Sequence, residues 1–182
     1  IREVPGALSL ALLAKRKGYS RLVVPQGCGG VAAHVSGIAV CEAPDLKWLV
    51  ECLREAQPLP LARPGLIEPK YPAEALSDIS GQSMAKRALE ISAAGGHNLF
   101  LSGPPGVGKT MLARRLPCIL PNLSHQEALE VTRIYSSAGL RKTAEGLMMT
   151  RPFRSPHHSI SKAGLLGNAR LEPGELSLAH NG

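Results

Sequence analysis

An α/β fold in two parts is predicted by three observations. Short apolar strands alternate with segments of helical periodicity, prolines crowd the stretch after residue 57, and an apolar strand runs into a glycine-rich turn and a helix near residues 103–110. The 182 residues suffice for one full domain or two partial ones. Hydrophobic residues at 44% are enough for a packed core, and charged residues at 19% do not resemble a disordered chain. No apolar run approaches the ~18 residues a membrane span needs, so no membrane partner is expected. The 21 Lys and Arg against 14 Asp and Glu leave a formal charge of +7, which favours acidic partners.

In the first part, Leu8, Leu10, Leu12 and Leu13 followed by Lys15, Arg16, Lys17 and Gly18 predict a helix with cations and a glycine at its C-terminus. Arg21–Pro25 and Ile38–Cys41 are predicted strands. Asp45 is positioned to cap a helix carrying Trp48, Leu49, Cys52 and Leu53. Pro58, Pro60, Pro64, Pro69 and Pro72 then predict an extended linker. The expected organisation is a first domain over 1–56, the linker over 57–77 and a second domain over 78–182. Cys28, Cys41, Cys52 and Cys118 have no Cys-x-x-Cys or zinc spacing and read as reduced thiols of a cytoplasmic protein. Without a Met or a leader at Ile1, and with a turn dipeptide at Asn181-Gly182, the chain is expected to be the interior of a longer polypeptide.

In the second part, Ser80 or Gly81 is expected to start a helix that Gly95-Gly96 stops, and Asn98–Ser102 to form a buried strand. Immediately after it, Gly103-Pro104-Pro105-Gly106-Val107-Gly108-Lys109-Thr110 matches G-x-x-x-x-G-K-[ST], followed by helix-forming Met111-Leu112-Ala113-Arg114-Arg115. A triphosphate needs backbone N–H groups close to its oxygens, and glycines allow that approach. Lys109 is expected on the β- and γ-phosphates of ATP, and the Thr110 hydroxyl on Mg²⁺. A dinucleotide fold is disfavoured, because no G-x-G-x-x-G opens this helix.

Asp78-Ile79-Ser80-Gly81-Gln82, Ala85–Glu90, Gly95–Leu99, the P-loop, Thr110–Pro117, the block Arg151-Pro152-Phe153-Arg154-Ser155-Pro156-His157-His158 and Pro173–Gly182 together resemble the YifB/ComM group of magnesium-chelatase-like AAA+ ATPases. The likeness implies a partial AAA+ P-loop core, preceded over 1–56 by the C-terminal part of a domain resembling Lon protease. Leu8 stands where the Lon pattern has its lysine, so the general base of a Ser–Lys dyad is missing and no peptidase activity is expected. By the same likeness Ile79 and Gln82 flank the adenine pocket. The carboxylates that hold Mg²⁺ and orient the attacking water would follow Gly182, so residues 1–182 alone are expected to bind ATP without efficient hydrolysis. A homo-oligomeric, hexameric ring is implied for the whole protein.

Residues 141–170 hold Arg141, Lys142, Arg151, Arg154, Lys162 and Arg170 against Glu145 alone. Such a cluster attracts phosphate backbone, and the resemblance adds a pore-facing insertion and a link to DNA in natural transformation or branch migration. Arg151, Arg154, His157, His158 and Lys162 are therefore nucleic-acid candidates, with a solvated face or a subunit contact as the plain alternative. Two alternatives for the whole remain: a chelatase-type motor driving metal into a tetrapyrrole, and a non-catalytic, nucleotide-gated adaptor.

Overall fold

The computed structural model describes residues 2–65, 67, 75–141, 146–169 and 172–182. It is a mixed α/β structure with a small parallel sheet. Strand β1 (Arg21–Pro25) lies beside β2 (Ala39–Ala43), in register from Arg21 opposite Ala39 to Pro25 opposite Ala43. Helix α1 (Ala7–Arg16) precedes β1, and α2 (Gly29–Ala32) makes the crossover to β2. Alternation along each strand sends Val24 and Val40 to the face covered by α1 and α2, and Val23 and Cys41 to the opposite face. That opposite face is covered by α3 (Leu46–Arg54), through Trp48, Leu49 and Cys52. As expected, Asp45 caps α3, its carboxylate accepting from the Trp48 amide at 2.8 Å.

The short helix α2 is not legible in its Gly-Gly-Val-Ala sequence. It forms because the Glu42 carboxylate accepts from the amides of Gly27 (3.1 Å) and Gly29 (2.7 Å), satisfying donors at the helix start. The opening of the proline-rich stretch is pinned to the sheet: Leu59 is buried, Leu61 bridges antiparallel to Cys41, and the Ala62 amide donates to Val40. Leu66 and residues 68–74 of the expected linker lie outside the described residues.

A 3-10 turn at Leu76–Asp78 leads to α4 (Ser83–Gly95), which Gly96 ends at φ +61. Helices α5 (Lys109–Arg114) and α6 (Leu116–Ile119) follow the glycine-rich turn, and Ile79, Leu89 and Leu112 form a small core with Leu101, Leu116 and Ile119 around it. The expected buried strand at Asn98–Ser102 does not form. A strand needs a hydrogen-bonded neighbour, and this segment has none among the described residues; Leu99 is 37% and Phe100 89% exposed.

Beyond it lie α7 (His125–Ser137), α8 (Lys162–Leu166) and α9 (Glu175–Leu178). Ala128 and Val131 of α7, with Leu123 and Leu147, join Ala7, Leu8, Val31 and Val40 in one buried cluster. The main core thus draws on both sides of the proline-rich stretch. Leu8, 1% exposed, sits inside it, which explains an apolar residue there. Cys28, Cys41 and Cys52 are buried, outside any disulfide, and Cys118 is half-buried. No helix among the described residues is long and apolar enough to cross a membrane.

Candidate functional site

The residues of Gly103–Thr110 fall on one exposed turn at the start of α5. Gly106 and Gly108 have φ of +84 and +88, and Gly108 is the N-cap, its carbonyl accepting from the Leu112 amide at 2.9 Å. A side chain at either position would be strained in that conformation, so the turn's shape requires glycine. Apart from Gly106 itself and its chain neighbours, no atom lies within 4 Å of where a Gly106 Cβ would stand, so that side of the turn is open. The Lys109 ammonium donates to the Gly103 carbonyl at 2.8 Å and the Pro104 carbonyl at 2.7 Å, across the mouth of the turn. Thr110 and Met111 are exposed beside it. Glycines in left-handed geometry, open space at Gly106 and a lysine ammonium at the turn are features suited to phosphate oxygens.

Ile79 and Gln82 part company. Ile79 is buried at 2% exposure against Leu89 and Leu112, whereas Gln82 is exposed and its amide donates to the Val107 carbonyl at 3.5 Å. The 79–82 segment is therefore adjacent to the turn, with Ile79 serving its core.

The two arginines of the basic block point into the protein. Arg151 donates to the carbonyls of Pro121 (2.7 Å) and Asn181 (2.9 Å) and to the Glu127 carboxylate (3.4 Å). Arg154 makes a two-point pair with Glu175, with Nε on Oε2 at 2.6 Å and Nη2 on Oε1. His157, His158 and Lys162 are exposed, and the two imidazole rings lie tilted against each other at 38° with centroids 4.1 Å apart. Lys142, Glu145 and Arg170 lie outside the described residues. No group of three His, Cys, Asp or Glu that could hold a metal ion occurs among the described residues.

Residues 75–182 match the family model described as magnesium chelatase, subunit ChlI. The chain belongs to this family. Over its whole length it is 45% identical to an uncharacterized protein of Mycobacterium tuberculosis, 41% to the uncharacterized protein YifB of Escherichia coli and 39% to the competence protein ComM of Haemophilus influenzae. It spans only 36–37% of the length of these relatives. Within the family it falls in the YifB/ComM group.

For this family member the structure adds residues that sequence reasoning passed over. Glu127 closes a Ser-x-x-Glu capping box on α7, accepting from the Ser124 amide at 2.8 Å while the Ser124 hydroxyl accepts from Glu127 at 3.3 Å. Those contacts, the Ser124 amide foremost, hold the Glu127 carboxyl below its ordinary range. Glu130 is held low by His180, 3.0 Å away, and Glu175 by Arg154. Tyr135 donates to the Leu178 carbonyl at 3.0 Å, and burial pushes its phenol up. Together Glu127, Glu130, Tyr135, Arg151 and Arg154 fasten residues 175–181 to α7. The Ser-x-x-Glu spacing was the available signal; the rest are long-range pairs that no local pattern announces. Gly182 in turn lines a pocket of about 320 Å³ with Leu99, Leu101, Ala113, Leu116 and Leu120, so the clamped segment ends beside the extended approach to the glycine turn.

Proposed function

We propose that the chain is the nucleotide-binding part of an AAA+ ATPase of the YifB/ComM type, which binds Mg-ATP on Gly103–Thr110 and works in the whole protein as a DNA-linked motor. The observation that carries this reading is the open turn with left-handed Gly106 and Gly108 and Lys109 at its rim. Backbone N–H groups of the turn hold the phosphates, Lys109 exchanges its two carbonyl partners for phosphate oxygens, and Thr110 supplies an oxygen ligand to magnesium. Bound Mg²⁺ would neutralise charge on the phosphates as the terminal group is transferred to water. Positioning and charge stabilisation are what the chain's own residues contribute.

A ring of identical subunits, cytoplasmic, completes the reading. The competence protein among the relatives supports DNA over a tetrapyrrole as the partner. With Arg151 and Arg154 engaged within the chain, DNA contact falls to His157, His158 and Lys162, and the arginines brace the loop that carries them. The test is ATP turnover by the whole protein with and without single-stranded DNA, at rising salt. Stimulation that weakens with salt and is lost on replacing His157, His158 and Lys162 with Ala supports the reading. Turnover indifferent to DNA removes the DNA partner and leaves the ATPase.

A further inference from the structure

Between Glu3 and Glu42 the sequence holds no acidic residue, but it holds Lys15, Arg16, Lys17 and Arg21. All four are exposed, gathered where α1 ends and the chain turns through Gly18 into β1. The partial negative charge at the C-terminus of α1 accounts for cations in its last turn. It does not account for Arg133, which is exposed on α7 ahead of that helix's own last turn. Arg16 and Arg133 line one hollow of about 520 Å³ between α1 and α7, with apolar Leu12, Leu13 and Ile134 and no acidic residue. Among the described residues neither arginine has a carboxylate partner. Two guanidinium groups at one hollow repel each other until an anion sits there.

We propose that Arg16 and Arg133 hold the phosphate backbone of single-stranded DNA at this hollow, a contact built from residues distinct from His157, His158 and Lys162. The inference rests on the DNA-linked reading and adds a second place at which the strand is held. A guanidinium fork matches phosphate oxygens. Lys15, Lys17 and Arg21 extend the positive charge beyond the hollow, as a run of phosphates needs and a lone anion does not. Tyr19, 65% exposed beside the same turn, offers a ring on which an unpaired base stacks, which favours a single strand over a duplex or an acidic peptide.

The experiment follows fluorescence anisotropy of a labelled thymidine oligonucleotide as the whole protein binds it, over a series of salt concentrations. With Arg16→Ala and Arg133→Ala combined, affinity at about 100 mM salt should fall at least about fivefold. The slope of log affinity against log salt should shrink by about 0.7 to 1.4, the share of one or two phosphates on a single strand. Melting temperature should hold, since both side chains are exposed. Lys47→Ala with Arg87→Ala, an equal loss of charge at cations already paired with Glu51 and Glu90, should change neither affinity nor slope. Wild-type affinity and slope in the double arginine variant overturn the inference and leave the DNA-linked reading standing. An equal effect of the control pair overturns it too, because the strand then reads overall charge and no particular site. Duplex DNA or polyglutamate of the same length bound more tightly than the single strand also overturns it. A wild type that binds no DNA removes the DNA-linked reading, and this inference with it.

Discussion

Arg154 shows how a residue's neighbours decide its role. Charge counting puts it on a DNA-facing surface, and the fold pairs it with Glu175, 21 positions away in sequence. The Arg154 hydrogen bonds hold the Glu175 carboxyl below its ordinary value of 4.5. A carboxyl lowered in the folded state stabilises it above the unfolded pKa, and the benefit is lost as pH falls through the folded one. The chain should therefore melt at progressively lower temperature below pH 4.5. Thermal melts of Glu175→Gln should lie below wild type at neutral pH and converge on it in acid; parallel curves would show that the pair carries no stability. Leu8 makes the complementary point. Its apolar character was legible in sequence, but the reason for it, a position inside the main core, needed the fold.

Among the elements, α1, β1, α3, α4 and α5 follow signals that sequence carries directly: a glycine stop, an aspartate cap, a glycine-rich turn before a helix. Two do not. Helix α2 exists because a carboxylate from β2 reaches back to its first amides, and Asn98–Ser102 stays without a ladder because strand structure belongs to a pair of segments rather than to one. Leu99 and Phe100 of this segment are exposed. Amides of Leu99–Leu101 should therefore exchange with solvent rapidly; slow exchange would contradict this account. For α7, Ser124→Ala removes one half of the capping box and should lower stability by about 1 kcal/mol in denaturant titrations, with nucleotide affinity unchanged.

At the scale of the molecule, the described residues hold three buried clusters, one of them between α3 and the sheet and two others on which the site's surroundings depend. Of these two, the larger joins α1, α2 and the sheet to α7, and the smaller holds Ile79, Leu89 and Leu112 under the phosphate turn. That α7 packs on the first 56 residues was not legible, since its amphipathic pattern does not name the surface it meets. Leu8→Ala should cost roughly 2–5 kcal/mol of the larger core's stability. Calorimetric unfolding should report that loss while Mg-ATP binding below the transition is retained. His34 lies at the same junction, its ring 6.2 Å from that of His125 and hydrogen-bonded to the Gly65 carbonyl. Burial is the main cause that lowers its pKa from 6.5, so protonation favours the unfolded state and the junction should weaken as pH falls below 6.5. Replacing His34 with Gln should flatten that dependence.

The central claim is that the turn from Gly103 to Thr110 takes up the phosphates of ATP. Calorimetric titration of Mg-ATP into folded protein measures it most directly. Saturable one-to-one uptake, weakened at least about tenfold by Lys109→Ala without a change in melting temperature, is the predicted result. A well-folded protein that takes up no Mg-ATP, or a Lys109→Ala variant that binds as tightly as wild type, would contradict it.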